Sequence, residues 1–130
     1  MNTIKIKTSV LLFFIIFLVG CSQKQPITSQ SATIIFKTPS LKFYDKGFVT
    51  KYDNYIHLQI FNAGHNVLDL EIYKEKICKS TFKCMKGTAF NNKYLLNTYT
   101  NNFMYEIFNK KNVYFKDKKN KILFKIKKDK

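Results

Sequence analysis

The sequence predicts a small α+β domain: an antiparallel sheet built from a meander and a carboxy-terminal hairpin, with two short helices between them. Three patterns carry that expectation. In residues 55–61 and 67–73, Ile56, Leu58 and Ile60, then Leu68, Leu70 and Ile72, alternate with polar or aromatic neighbours, which is the period of half-buried strands. Phe103, Met104, Ile107 and Phe108 recur at helical spacing. Ile122, Phe124 and Ile126 then return to a period of two.

Taken in chain order, Thr33-Ile34-Ile35-Phe36-Lys37 predicts a first strand that Pro39 ends. Leu41 and Phe43 predict a short strand, and Asp45-Lys46-Gly47 a turn leading into a further one over residues 48–52. The clearest pair, 55–61 and 67–73, is joined by Asn62-Ala63-Gly64-His65-Asn66, where Gly64 is free to take positive φ. Thr88 and Thr100 are positioned to cap two short helices, the first carrying Phe90, Tyr94 and Leu95. Val113-Tyr114-Phe115 and residues 121–127 predict the last hairpin, turning over 117–120.

Ahead of this domain, Lys5 and Lys7 precede an unbroken apolar run over residues 10–19, the order of a signal peptide. Ten apolar residues make a helix of about 15 Å, half of a ~30 Å hydrocarbon core. That length speaks against a permanent transmembrane helix. Leu18-Val19-Gly20-Cys21 then resembles the lipobox of bacterial lipoproteins, with a large aliphatic residue three positions before the cysteine and small residues at the cleavage site. The resemblance covers residues 1–22. It implies a diacylglyceryl thioether on Cys21, cleavage after Gly20 and further acylation, for example with palmitate, of the new amine. Two or three acyl chains exceed what stable anchoring requires. Ser rather than Asp at position 22 resembles the sorting signal for the outer membrane, on its periplasmic or surface side.

The domain organisation expected is therefore a signal peptide over 1–20, a flexible polar tether over 21–31, and a single domain over 32–130. Removing residues 1–20 leaves 110 residues and takes away Lys5 and Lys7, which lowers the net charge from +15 to +13. Every basic residue is Lys and none is Arg, while Asn, Ile, Phe and Tyr are abundant and Trp is absent, the bias of an AT-rich genome. Nucleic-acid readers use Arg for bidentate contacts, so the composition argues against a nucleic-acid partner. An envelope protein, or an anionic polymer or lipid of the envelope, fits better.

With Cys21 assigned to lipid, Cys78 and Cys84 remain, and in an oxidising compartment they are expected to form a local disulfide. The Cys78–Met85 segment and the overall character resemble small lipoproteins of AT-rich epsilonproteobacteria. Lys76, Lys79, Lys83 and Lys86 crowd this loop with Phe82 at its tip, a candidate contact surface. A second basic surface is expected at the carboxy-terminal end, in Lys118, Lys119, Lys121, Lys125 and Lys127; residues 116–130 carry +6 of the total.

No catalytic constellation stands out. His57 and His65 flank one hairpin and could face each other across it, and Asp69 and Glu71 share the polar face of a strand, but neither pair has the partners that catalysis or metal binding needs. No cofactor motif or metal-ligand spacing is present. The function expected is a non-enzymatic binding or scaffolding lipoprotein. The alternatives are an inhibitor or defence module, which resembles the lysozyme-inhibitor lipoproteins, and a cell-wall-directed enzyme. A charge of +13 would repel cationic lysozyme, and no active site supports the enzyme.

Overall fold

The computed structural model describes residues 2–17, 20, 23–80 and 83–130. Leu18, Val19, Cys21 and Phe82, on which parts of the lipobox and loop expectations rest, lie outside the described residues. An amino-terminal helix, α1 (Asn2–Phe17), carries Val10 to Ile16 with 53–69 % of each residue exposed. Among the described residues no helix is long and apolar enough to cross a membrane.

The domain is a mostly antiparallel sheet with two helices after its sixth strand. Strands β1 (Thr28–Lys37), β2 (Lys42–Lys51), β3 (Tyr55–Asn62), β4 (His65–Tyr73), β5 (Lys76–Lys79) and β6 (Lys83–Lys86) form a meander. Helices α2 (Gly87–Tyr94) and α3 (Phe103–Phe108) follow, then β7 (Tyr114–Asp117) and β8 (Ile122–Lys128). The strand order is β6-β5-β4-β3-β2-β1-β8-β7, so the last hairpin returns to lie against the first strand.

Strand pairing places residues of like parity on one face. The inner face holds Ala32, Ile34 and Phe36 of β1, Ile56, Leu58 and Ile60 of β3, Leu68, Leu70 and Ile72 of β4, and Ile122 and Phe124 of β8, all buried. Helix α3 packs over β3 and β4, and α2 over β5 and β6. Phe36 and Phe124 sit directly opposite one another with ring centroids 4.7 Å apart, and Phe108 of α3 lies 5.4 Å from Phe124. Asn91, buried in α2, donates Nδ2 to the Thr100 carbonyl at 2.7 Å and so ties α2 to the segment entering α3.

The structure departs from the sequence expectations at several places, among them the cysteine loop, which is the strand hairpin β5–β6. Thr28–Ser31, expected within the tether, is already strand and pairs with Lys51–Phe48. Its side chains are polar, but its backbone bonds are made and Ser29 Oγ meets Thr50 Oγ1 at 3.1 Å. Asp45-Lys46-Gly47 is no turn: β2 runs straight through it, opposite Ile34, Thr33 and Ala32. Gly47 is required there for close approach, because a Cβ would fall 2.0 Å from the Gln59 carbonyl oxygen and 2.8 Å from Ile34 Cδ1. The β3–β4 loop is a two-residue turn in which Ala63 and Gly64 both have positive φ, the requirement of a type I′ hairpin. Neither Thr88 nor Thr100 caps its helix. The Asn101 side chain accepts from the Thr88 N–H at 2.8 Å, and α3 starts after Asn102. Finally, His57 lies opposite Glu71 and His65 opposite Asn62, so the two histidines do not face each other.

Cys78 and Cys84 are paired residues of β5 and β6 and are joined by a disulfide, as the spacing suggested. Closing so short a loop contributes about 2 kcal/mol in the chain-entropy model.

Gly47→Ala is expected to destabilise the domain by about 3 kcal/mol, since the neighbour is backbone and cannot move aside without breaking β2–β3 pairing. Urea unfolding of the variant against the parent chain measures it.

Candidate functional site

The outer face of the sheet, opposite the face on which α2 and α3 pack, divides into two chemically different halves. Across β3 to β6 it is polar and aromatic. Tyr52 stacks on Tyr55 at 4.5 Å and Tyr55 on Tyr73 at 4.8 Å, with Lys76 4.6 Å over the Tyr73 ring. Tyr73 donates its hydroxyl to Glu71 at 3.0 Å. Burial, then the Glu71 bond and charge, push the Tyr73 phenol up to about 12. His57 Nε2 meets Asp69 Oδ1 at 2.7 Å, and Asn66 donates to the other oxygen of the same carboxylate at 3.1 Å. Among the described residues no hydroxyl or thiol bonds to His57, and no three potential metal ligands gather. This half is a braced surface.

Across β2, β1, β8 and β7 the same face is basic. Register alone builds three rows: Lys116–Leu123–Lys37–Lys42, then Tyr114–Lys125–Ile35–Tyr44, then Lys127–Thr33–Lys46. Period two sends every second residue of these strands to one side, and on that side they carry six lysines. Tyr44 is 71 % exposed, Tyr114 58 % and Phe48, on the next row, 45 %. Lys46 is bonded to Asp129 at 2.6 Å; among the described residues it is the only lysine within 4.0 Å of a carboxylate. The other five present uncompensated charge around exposed rings.

The residues expected to make basic surfaces are thus redistributed. Lys125 and Lys127 lie in the outer band, whereas Lys118, Lys119 and Lys121 occupy the β7–β8 turn at its end. In the cysteine hairpin, Lys76 and Lys86 pair on the outer face, while Lys79 and Lys83 pair on the inner one. Lys79 is drawn down to donate to the Tyr94 hydroxyl at 3.3 Å, so the four do not form one knob. Lys37, Lys42, Lys46, Tyr44 and Tyr114 were not singled out from sequence, and Lys116 was read only as part of the basic carboxy-terminal stretch. Lys37, Lys42 and Lys46 share parity with the outward residues of their strands, but only the register aligns them.

The turn that presents Lys118, Lys119 and Lys121 is held by Asp117. Its carboxylate accepts the Tyr99 hydroxyl at 2.5 Å, the Asn120 N–H at 3.2 Å and Asn120 Nδ2 at 2.7 Å. The Tyr99 and Asn120 bonds hold Asp117 below the usual carboxylate range. Burial first, then Asp117, push the Tyr99 phenol well above its ordinary value.

Compared with protein families, curated proteins and solved structures, the chain matches none.

The Asp117–Tyr99 pair gives stability two pH limits. The Asp117 contribution is complete above the unfolded carboxylate value near ~4 and is lost as pH falls through its lower folded value. The Tyr99 contribution is complete below the unfolded phenol value near ~10 and is lost as pH rises through its higher folded value. Melting temperature measured across pH is expected to be flat between these limits. In Tyr99→Phe the alkaline fall should shrink and the acid fall should move to higher pH.

Proposed function

We propose that this chain is a lipid-anchored envelope protein, held at Cys21, that works by binding rather than by catalysis and docks its basic sheet face onto an anionic membrane surface. The observation that carries the reading is the band of six outward lysines interleaved with exposed Tyr44, Tyr114 and Phe48. Lysines near an anionic leaflet contribute about 1 kcal/mol each, and tyrosine rings settle at the headgroup level. With Lys46 neutralised by Asp129, the five uncompensated lysines add on the order of 5 kcal/mol to whatever the acyl chains supply.

Geometry makes the two attachments compatible. Residues 22–27 link Cys21 to the start of β1 at Thr28, a reach of at most about 25 Å. A domain on so short a leash stays within a few Debye lengths of the bilayer, where its field is felt. The outer membrane remains the proposed address, on the strength of Ser22 in the lipobox resemblance. The braced aromatic half beside the band is free to meet an envelope protein while the band holds the membrane.

Two measurements test this. Mass spectrometry of the amino-terminal peptide should show Cys21 as first residue, with the mass of a lipid added; an unmodified cysteine would remove the anchor. For docking, the chain's lack of Trp makes tyrosine fluorescence the natural reporter. Full-length protein in vesicles of brominated lipid should be quenched at about 30 % phosphatidylglycerol and released near ~0.5 M salt. Lys42→Gln with Lys125→Gln and Lys127→Gln should lose most of the quenching. Equal signals in zwitterionic and anionic vesicles would sink the docking reading.

A further inference from the structure

The inner face of the sheet is not wholly covered. Helix α3 ends at Phe108, and beyond it the amino-terminal half of β1 continues with Thr28 and Gln30, whose exposed polar side chains belong to no core. A cavity of about 340 Å³ opens there, between β1, β2 and β8 on one side and the α3–β7 connection on the other. Its floor is apolar: Ala32, Val49, Phe108 and Val113 are buried and Ile126 is half-buried. Its walls carry four lysines, Lys51, Lys110, Lys111 and Lys128, and no lining residue bears a carboxylate.

Lys51 is the most constrained of the four. Its Nζ donates to the Asn109 carbonyl at 3.1 Å and the Lys110 carbonyl at 3.2 Å, which uses two of three N–H groups and leaves one for the cavity. Burial, then the charge of Lys128, lower its pKa, and an anion placed between the two would relieve both effects. Four like charges around an apolar floor oppose each other until a negative group enters, and the floor rewards an apolar tail on that group.

We propose that this cavity is a binding site for an anionic amphiphile: a phosphate or carboxylate head held by Lys51 and Lys128, carrying one short alkyl chain packed against Val49, Phe108 and Val113. The volume lies at the lower end of the ~300–1,000 Å³ of small-molecule sites, which suits a single chain and excludes a diacyl lipid taken in whole. The site stands apart from the docking band, because it opens on the opposite face of the sheet. Neither the outcome of vesicle docking nor that of the anchor decides it.

The probe is octyl phosphate, titrated by calorimetry into the full chain held in phosphatidylcholine nanodiscs, with empty discs subtracted. Inorganic phosphate tests the head alone and octyl glucoside the tail alone. Saturable one-site binding of octyl phosphate, with neither control binding comparably, is the expected result. Lys128→Gln, an exposed position, should weaken it by about tenfold, as loss of a charged hydrogen bond does. Lys51→Gln should weaken it at least as much, and because that variant can loosen the α3 end, Lys128→Gln carries the test if it unfolds. Gln30→Trp puts a large ring into the mouth without touching the core and should abolish binding. Octyl phosphate binding unchanged in Gln30→Trp, or inorganic phosphate binding as tightly as octyl phosphate, would overturn the proposal.

Discussion

Without the pairing of β1 to β8 the domain would fall into two pieces: a six-stranded meander with an open edge, and a carboxy-terminal hairpin of the kind that is marginal by itself. The six residue pairs from Ala32–Lys128 to Lys37–Leu123 join them. They also bring Phe124 onto Phe36, and those two rings with Phe108 make the aromatic centre on which α3 rests. Both candidate surfaces are products of the same seam. On the outside it sets the lysines of β8 beside those of β1 and β2; on the inside it sets Lys128 across from Ala32, at the rim of the cavity.

What could be read from sequence depended on whether burial left a periodic trace. β3, β4 and β8 alternate cleanly because one of their faces is core and the other solvent, and they were placed well. β2 hides behind Asp45-Lys46-Gly47, whose composition says turn while its neighbours on both sides demand strand. The first four residues of β1 carry no apolar side chain, so no pattern could distinguish them from a tether; only backbone pairing holds them. Of the candidate sites, the disulfide was visible from spacing, and so was the basic character of the carboxy-terminal hairpin. The band was not, since it needs lysines from four strands in register, and neither was the cavity, since it needs the end of a helix to meet the end of a strand.

The two faces of the sheet use the same residue type to different ends. On the outer band most lysines have no carboxylate partner and surround exposed rings, Lys46 on Asp129 being the exception, and the surface reads as a charge field with aromatic footholds. On the inner face Lys51 and Lys79 are tied into the fold, one by two bonds to the carbonyls that follow α3 and the other to the Tyr94 hydroxyl. A lysine-rich composition drawn from genome bias therefore does not imply a uniform role; parity and neighbours decide it residue by residue.

Gly47 has a further consequence for how the sheet is shaped over time. At that point β2 and β3 approach too closely for any side chain, and its partner across β1, Ala32, is nearly as small. Ala32 belongs both to the buried core and to the lining of the cavity, so this seam borders the floor of the hollow. Larger residues on either side would push the floor up. The small side chain of Ala32 is part of the floor of that hollow, and Gly47 across from it carries none. A larger residue at Gly47 would cost strand pairing, and one at Ala32 would intrude on the cavity floor.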